Sequence, residues 1–180
     1  RFTVLDGNGK KVGDFGEYPY RNEEERKVDG FILGDVYQGK LAASPHRNRF
    51  VQAIYKAKIL TFYEQSGEHW NLVKEIQESF PKYKYNSPAI ETDTPVGYLD
   101  VCATEKYVYA LYSGKNYRDD KDAAFSGYTI EVYGWDGTLQ KRYQSDVPLK
   151  VIEVSRDDGS LYAIAYHPDP VLVQFPLFEQ

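Results

Sequence analysis

IEVYGWDGTLQKRY, residues 130–143, reads as two short strands meeting at a tight turn over Trp135-Asp136-Gly137-Thr138. Asp-Gly between such runs is a strong hairpin signal, because glycine tolerates the positive φ of a tight turn. The same layout recurs at FTVLDGNGKKVGDF (2–15) and, more loosely, at ILTFYEQSGEHWNLVKEI (59–76). Working outward from these hairpins gives an ordered series. YQGKLAA (37–43), RFVQAIY (49–55), KILTFYE (58–64) and NLVKEIQ (71–77) form one set of four strands. GYLDVCA (97–103), YVYALYS (107–113), YTIEVYG (128–134) and LQKRYQS (139–145) form a second. A third set begins with PLKVIEV (148–154), SLYAIAY (160–166) and VLVQFPL (171–177), and residues 2–5 and 11–15 supply only a third and a fourth strand.

Four-stranded units repeating every roughly 40–50 residues are the mark of propeller blades. Third strands begin near residues 2, 58, 128 and 170, the uneven spacing being absorbed by loops. The expected fold is therefore all-β and β-propeller-like: about three four-stranded antiparallel blades (36–78, 97–145 and 148–177) plus an N-terminal half blade (1–15), in one partial propeller domain spanning 1–180. Each blade buries its faces on its neighbours. Helix is expected to be scarce, with about one turn at Glu23–Lys27. HWNLVKEIQESF (69–80) also fits an amphipathic helix through Leu72, Val73, Ile76 and Phe80, but the hairpin turn before it favours a strand.

Composition agrees. The 180 residues carry 42% hydrophobic and 27% charged side chains, enough for one domain with a sizeable core. Seventeen tyrosines and nine phenylalanines favour sheet over helix. A net charge of −5 argues against a nucleic-acid partner, which calls for a concentrated basic face. No 18-residue apolar run is present to span a membrane. The chain contains no Met and begins in mid-strand, so it reads as a segment of a longer protein, with the rest of the propeller missing or supplied elsewhere.

LDGNGKKVGDFGEYP (5–19), YQGKLAASPHRNRFVQAIY (37–55), and YVYALYSGK (107–115) followed by IEVYGWDG (130–137) resemble the TolB-like six-bladed propeller proteins of Bacteroides-type bacteria. The ASPHRNRF turn (43–50) resembles the Ser-Pro-Asp-Gly turn of such blades, with His46-Arg47 in place of Asp-Gly. The resemblance implies a cell-envelope or periplasmic, lipoprotein-like protein whose signal or lipid anchor lies outside this segment. It carries over no catalytic residues, and it places this chain at roughly the C-terminal half.

Strand order assigns the loops to two ends. First-to-second and third-to-fourth turns, such as TEK, SRDDG and WDGT, are short and share one end. The opposite end receives 16–35, 79–95, 113–127 and 167–170. Long loops on a rigid scaffold are where binding resides. They carry Tyr18, Tyr20, Arg21, Tyr83, Tyr85, Tyr117, Arg118 and His167, together with Lys82 and Lys84. Interleaved tyrosine and basic residues suit recognition of a protein or a carbohydrate, by stacking and hydrogen bonding, although rings of this kind also serve to cover blade tops.

Other patterns carry less. RDDKDAA, with Asp119, Asp120 and Asp122, lacks the alternating ligands, glycine and closing glutamate of a calcium loop. EEER (23–26) reads as a solvated run. His46, His69 and His167 have no zinc spacing, so neither metal nor cofactor is expected. GNGKKVG (7–13) sits in a hairpin turn rather than before a helix, which is not how a phosphate cradle is built. Cys102 reads as a small buried side chain. The alternative to a binding protein is a propeller hydrolase or lactonase, with an acidic or metal site in the central channel built from Asp35, Asp100 and Glu153 on inner strands. A third role is strand addition at the open edge of VLVQFPL, blunted by Pro176.

Overall fold

Residues 59–63 and 108–111 are buried without a break, where a half-exposed strand would alternate. Their sheets must therefore be covered on both faces. The computed structural model describes residues 2–46, 48–166 and 168–177 and shows how the covering is done. Arg47 of the ASPHRNRF turn and His167 lie outside the described residues.

Strands β1 (Phe2–Leu5) and β2 (Lys11–Phe15) make an antiparallel hairpin, its turn held by the Asp6 carboxylate, which accepts from the amides of Asn8 and Lys10. Strands β3 (Gly39–Ala43), β4 (Arg49–Ile54), β5 (Ile59–Ser66) and β6 (His69–Gln77) form a four-stranded meander in chain order. The stretch with helical spacing is thus the strand β6. Six further strands follow in one antiparallel sheet, again in chain order: β7 (Tyr98–Ala103), β8 (Tyr107–Tyr112), β9 (Gly127–Gly134), β10 (Leu139–Val154), β11 (Ser160–Tyr166) and β12 (Pro170–Pro176).

The break expected between 145 and 148 is absent, because β10 runs through it for 16 residues. Its first part pairs with β9 and its second with β11, and the register shifts between Gln144 and Leu149. At the shift the Ser145 hydroxyl donates to the Val147 carbonyl and accepts from the Val147 amide, which keeps the backbone satisfied through the bend. One strand thereby serves as the outer strand of one set and the inner strand of the next. The inner strands lie side by side, β3 against β7 and β7 against β10, with the Ile152 amide donating to Asp100 at 3.0 Å. This is the β-propeller arrangement.

The buried side chains fall between the sets. Val51, Leu60 and Phe62 of the first sheet meet Tyr98, Val101, Val108 and Tyr133 of the second. Leu99, Cys102, Leu111 and Val132 meet Leu149, Ile152, Leu161 and Ala163. Burial pushes the Cys102 thiol well above its ordinary value, so it packs as an inert small side chain. The β1–β2 hairpin docks through a cluster of rings: Phe2 and Phe15 pack on Phe50, Tyr63 and Trp70, with centroids 5.1–5.9 Å apart.

Four short helical segments interrupt the connections among the described residues, the last a 3-10 turn over Lys121–Phe125. A 3-10 turn covers Glu25–Lys27, inside the expected 23–27. The α-helix α1 (Gly30–Val36) was not expected; its signal is Asp29, whose carboxylate caps the Phe31 amide. Asp35 therefore stands on a helix and not on an inner strand, which corrects its candidacy for the channel. Helix α2 (Tyr117–Asp120) is capped by Asn116, within the long connection from β8 to β9.

One ionic cluster ties the two sheets together. Glu131 on β9 is 1% exposed. It accepts from the Tyr98 and Tyr133 hydroxyls and from Arg142, and pairs with Lys58 of the β4–β5 turn at 3.1 Å. Lys58 also pairs with Glu78 and lies over the Tyr112 ring. Burial alone would raise the Glu131 carboxyl; hydrogen bonds from Tyr133, Lys58 and Tyr98, with the charge of Lys58, outweigh it and hold it below 4.5. Its stabilisation is therefore complete above pH 4.5 and is lost as pH falls through the lower folded-state value. Glu131→Gln is expected to cost about 3 kcal/mol at neutral pH, and to cost less at pH values where the carboxyl is protonated, as read from urea unfolding at several pH values.

Gly97 sets how closely the sheets approach. Its amide donates to Tyr55, and a Cβ there would land on the carbonyl oxygen of Ala57. Gly97→Ala should lower stability by about 2 kcal/mol or more. Gly30→Ala, in the open first turn of α1 with no atom within 4 Å of a new Cβ, should leave it unchanged or raise it by up to about 1 kcal/mol.

Candidate functional site

The two ends of the molecule differ in how they are stitched. At the short-turn end, Arg49 reaches Glu105 at 2.8 Å and lies over the Trp135 ring, and the Trp135 indole donates to the Thr104 carbonyl. Thr104 and Tyr109 both donate to Asp158. His46 and His69 belong to this end, His46 lying 3.8 Å from Glu105. The turns here are short, and Arg49, Glu105, Thr104, Trp135 and Asp158 join them side chain to side chain.

At the other end, the connections over 16–38, 78–97 and 113–126 lie against one another. The first two are joined around Glu25, which is 0% exposed. Its carboxylate accepts from the Tyr37 hydroxyl at 2.8 Å, the Tyr83 hydroxyl at 2.6 Å and the Arg21 amide at 2.5 Å. Burial first, and the nearby carboxylate second, raise both hydroxyls far above the ordinary tyrosine value, so they stay protonated donors. The Arg21 guanidinium donates to the Pro81 carbonyl and lies over Phe80, and the Tyr85 hydroxyl donates to Asn22. Reading EEER as a solvated run is thus corrected for Glu25. The 3-10 turn points that one carboxylate inward while Glu23, Glu24 and Arg26 stay exposed.

The second and third connections are joined around Asp93, which pairs with Lys82 at 3.0 Å and Arg118 at 3.3 Å. The hydrogen bond from Lys82, helped by the charge of Arg118, holds the Asp93 carboxyl below its ordinary value. Backbone bonds reinforce the junction: Arg118 N to the Thr92 carbonyl, and Val96 N to the Lys115 carbonyl. Between these two connections lies a hollow of about 260 Å³, walled chiefly by Tyr55, Ile90, Pro95, Val96, Tyr117 and Phe125. Tyr117, 45% exposed, stands at its rim with its ring tilted against Phe125 at 6.0 Å. Lys56, also in the wall, is held by the Asp35 carboxylate and carbonyl.

The residues singled out from sequence therefore separate into groups. Arg21, Tyr83 and Tyr85 bind the loops to each other. Tyr117 borders the hollow, with Arg118 beside it on α2. Tyr18 packs between Tyr20 and Tyr37, away from Tyr117 on the flank next to β6, with the Arg26 guanidinium over Tyr20. Of the channel candidates, Asp100 is engaged by Ile152 and Glu153 is exposed on β10. Among the described residues no group of three or more His, Cys, Asp or Glu is placed to hold a metal ion.

The family model for TolB-like 6-blade propeller-like proteins matches residues 1–157. The chain belongs to this TolB-like family. Among solved structures it is similar to the β-propeller domain of Cps50 (Swd1) from Myceliophteria thermophila, with a TM-score of 0.48 and 7% identity. That likeness covers 78% of this chain and 38% of the other, so the TolB-like chain spans well under half of that structure's length. A comparison with curated proteins finds no match. Among the described residues of the TolB-like chain no helix is long and apolar enough to cross a membrane.

Glu25→Ala leaves two buried hydroxyls and the Arg21 amide without an acceptor. It should lower stability by about 2–3 kcal/mol. In amide hydrogen exchange, protection should fall in 16–38 and 79–95 together, with 113–126 little changed.

Proposed function

We propose that this TolB-like propeller is a non-catalytic binding or scaffolding protein of the bacterial cell envelope, of the Bacteroides type, and that it engages a protein or glycan through its long-loop end. The observation that carries the reading is the hollow beside Tyr117: an apolar and aromatic recess set between two connections joined to each other by Asp93, one of them also tied down by Glu25. A preformed recess spares the ligand the cost of ordering loops, and a half-exposed tyrosine at its mouth offers large contact area with few rotatable bonds. Arg118, next to Tyr117 on α2 and 58% exposed at its side chain, is paired with Asp93 and holds that side of the recess in place. The envelope assignment rests on membership of the TolB-like family. A role in hydrolysis is less well supported, since Asp35 is paired with Lys56 on a helix while Asp100 is bonded to the β10 backbone.

A photo-crosslinking residue at position 117, introduced into the protein in its native bacterium, should capture a discrete partner or glycan. The same residue at Val12, on the β1–β2 hairpin, should not. With the captured ligand in hand, Tyr117→Ala should weaken binding about tenfold, or about 1.4 kcal/mol. Equal capture at both positions, or unchanged affinity in Tyr117→Ala, would remove the reading.

A further inference from the structure

We propose that the flank of the molecule carries a second site, a cleft for a neutral linear oligosaccharide centred on Trp70. The site does not depend on the reading of the Tyr117 hollow. Two adjoining hollows, of about 510 and 730 Å³, lie on either side of Trp70, which lines both. Their walls come from β6, from the β1–β2 hairpin and from the chain that leaves β2, and with Trp70 common to both they offer room for more than one sugar unit.

Its surface combines flat rings with planar polar groups. Trp70 stacks on Phe15 at 5.8 Å and 16°, with Phe50 set edge-on at 5.0 Å, so its ring plane is fixed before any ligand arrives. Tyr18 is held likewise between Tyr20 and Tyr37. The C–H faces of pyranose rings stack on such platforms, and amphipathic rings of this kind combine contact area with a wet edge. Beside them on β6, Gln77 donates to Glu75 at 2.5 Å, presenting a joined amide and carboxylate of the kind that binds paired sugar hydroxyls.

Charge selects among ligands. Arg26, the one cation walling the Tyr18 hollow, is engaged by Glu17 at 2.7 Å and Glu23 at 3.2 Å and lies over the Tyr20 ring. Glu75 adds a further negative charge. Among the described residues walling the Tyr18 hollow, phosphorylated, sulfated or uronic polymers meet no unpaired Lys or Arg, whereas neutral hydroxyl-bearing ones meet acceptors and a donor. The competing occupant is an extended peptide laid along the outer edge of β6, which among the described residues pairs only with β5.

The test is titration of the whole chain with maltohexaose, cellohexaose and chitohexaose, read by tryptophan fluorescence. Trp135 is buried at the short-turn end, so a change reports on Trp70. A saturable change with at least one of the three, with Kd near 1 mM or tighter, is expected. Trp70→Ala should abolish the change. Gln77→Ala, an exposed substitution that keeps the ring cluster intact, should weaken binding at least fivefold, and Tyr117→Ala should not alter it. The proposal is overturned if none of the three saccharides binds, if a heparin-derived hexasaccharide binds more tightly than all of them, if Gln77→Ala binds as well as the parent, or if a Val-Thr hexapeptide competes at lower concentration than the sugars.

Discussion

The pairing of Lys58 with Glu131 is the interaction on which the relation of the two sheets depends. A carboxylate 1% exposed between packed tyrosines would be untenable alone. It persists because two hydroxyls, an ammonium and a guanidinium converge on it from strands and turns of both sheets. Apolar contact between Phe62 and Tyr133 supplies adhesion without direction. The ionic cluster supplies direction, since its partners meet only at one rotation and one spacing of the sheets. Gly97 enforces the same spacing sterically, where the Tyr55–Ala57 turn leaves no room for a side chain.

The two buried glutamates use one device at different places. Glu131 joins sheet to sheet, Glu25 joins loop to loop, and each takes two tyrosine hydroxyls. A tyrosine can lie in an apolar layer and still deliver a donor at its tip. The abundance of tyrosine in this chain thus serves cohesion as well as recognition. Tyr83 and Tyr98 are spent on the first, while Tyr117 stays half-exposed on the side of α2.

Alternation, Asp-Gly turns and the recurring order of strands were enough to read the meander and the separation of long from short connections. Local patterns failed where the deciding contact is distant in sequence. Glu25 in EEER resembles any solvated acid until Tyr83, 58 residues away, is brought to it. Helix α1 is seven residues long, too short for a hydrophobic period, and only Asp29 announced it. Residues 145–148 resemble a boundary because proline and serine usually mark one. The Ser145 hydroxyl instead satisfies the backbone through the bend, and the strand continues. The grouping of Tyr18 with Trp70 was out of reach for the same reason, since it depends on how the first hairpin docks.

The unbroken β10 has a mechanical meaning. Two leaves that share one covalent strand cannot swing apart without tearing a paired ladder, so β7 to β12 form a stiff plate. The meander β3–β6 is fastened to that plate chiefly by side chains and by single amides such as Gly97. The two seams without a shared strand, that between the meander and the plate, bridged by Lys58, and that between the β1–β2 hairpin and the meander, are therefore the places where neighbouring leaves are held by side-chain contact in place of a continuous backbone ladder.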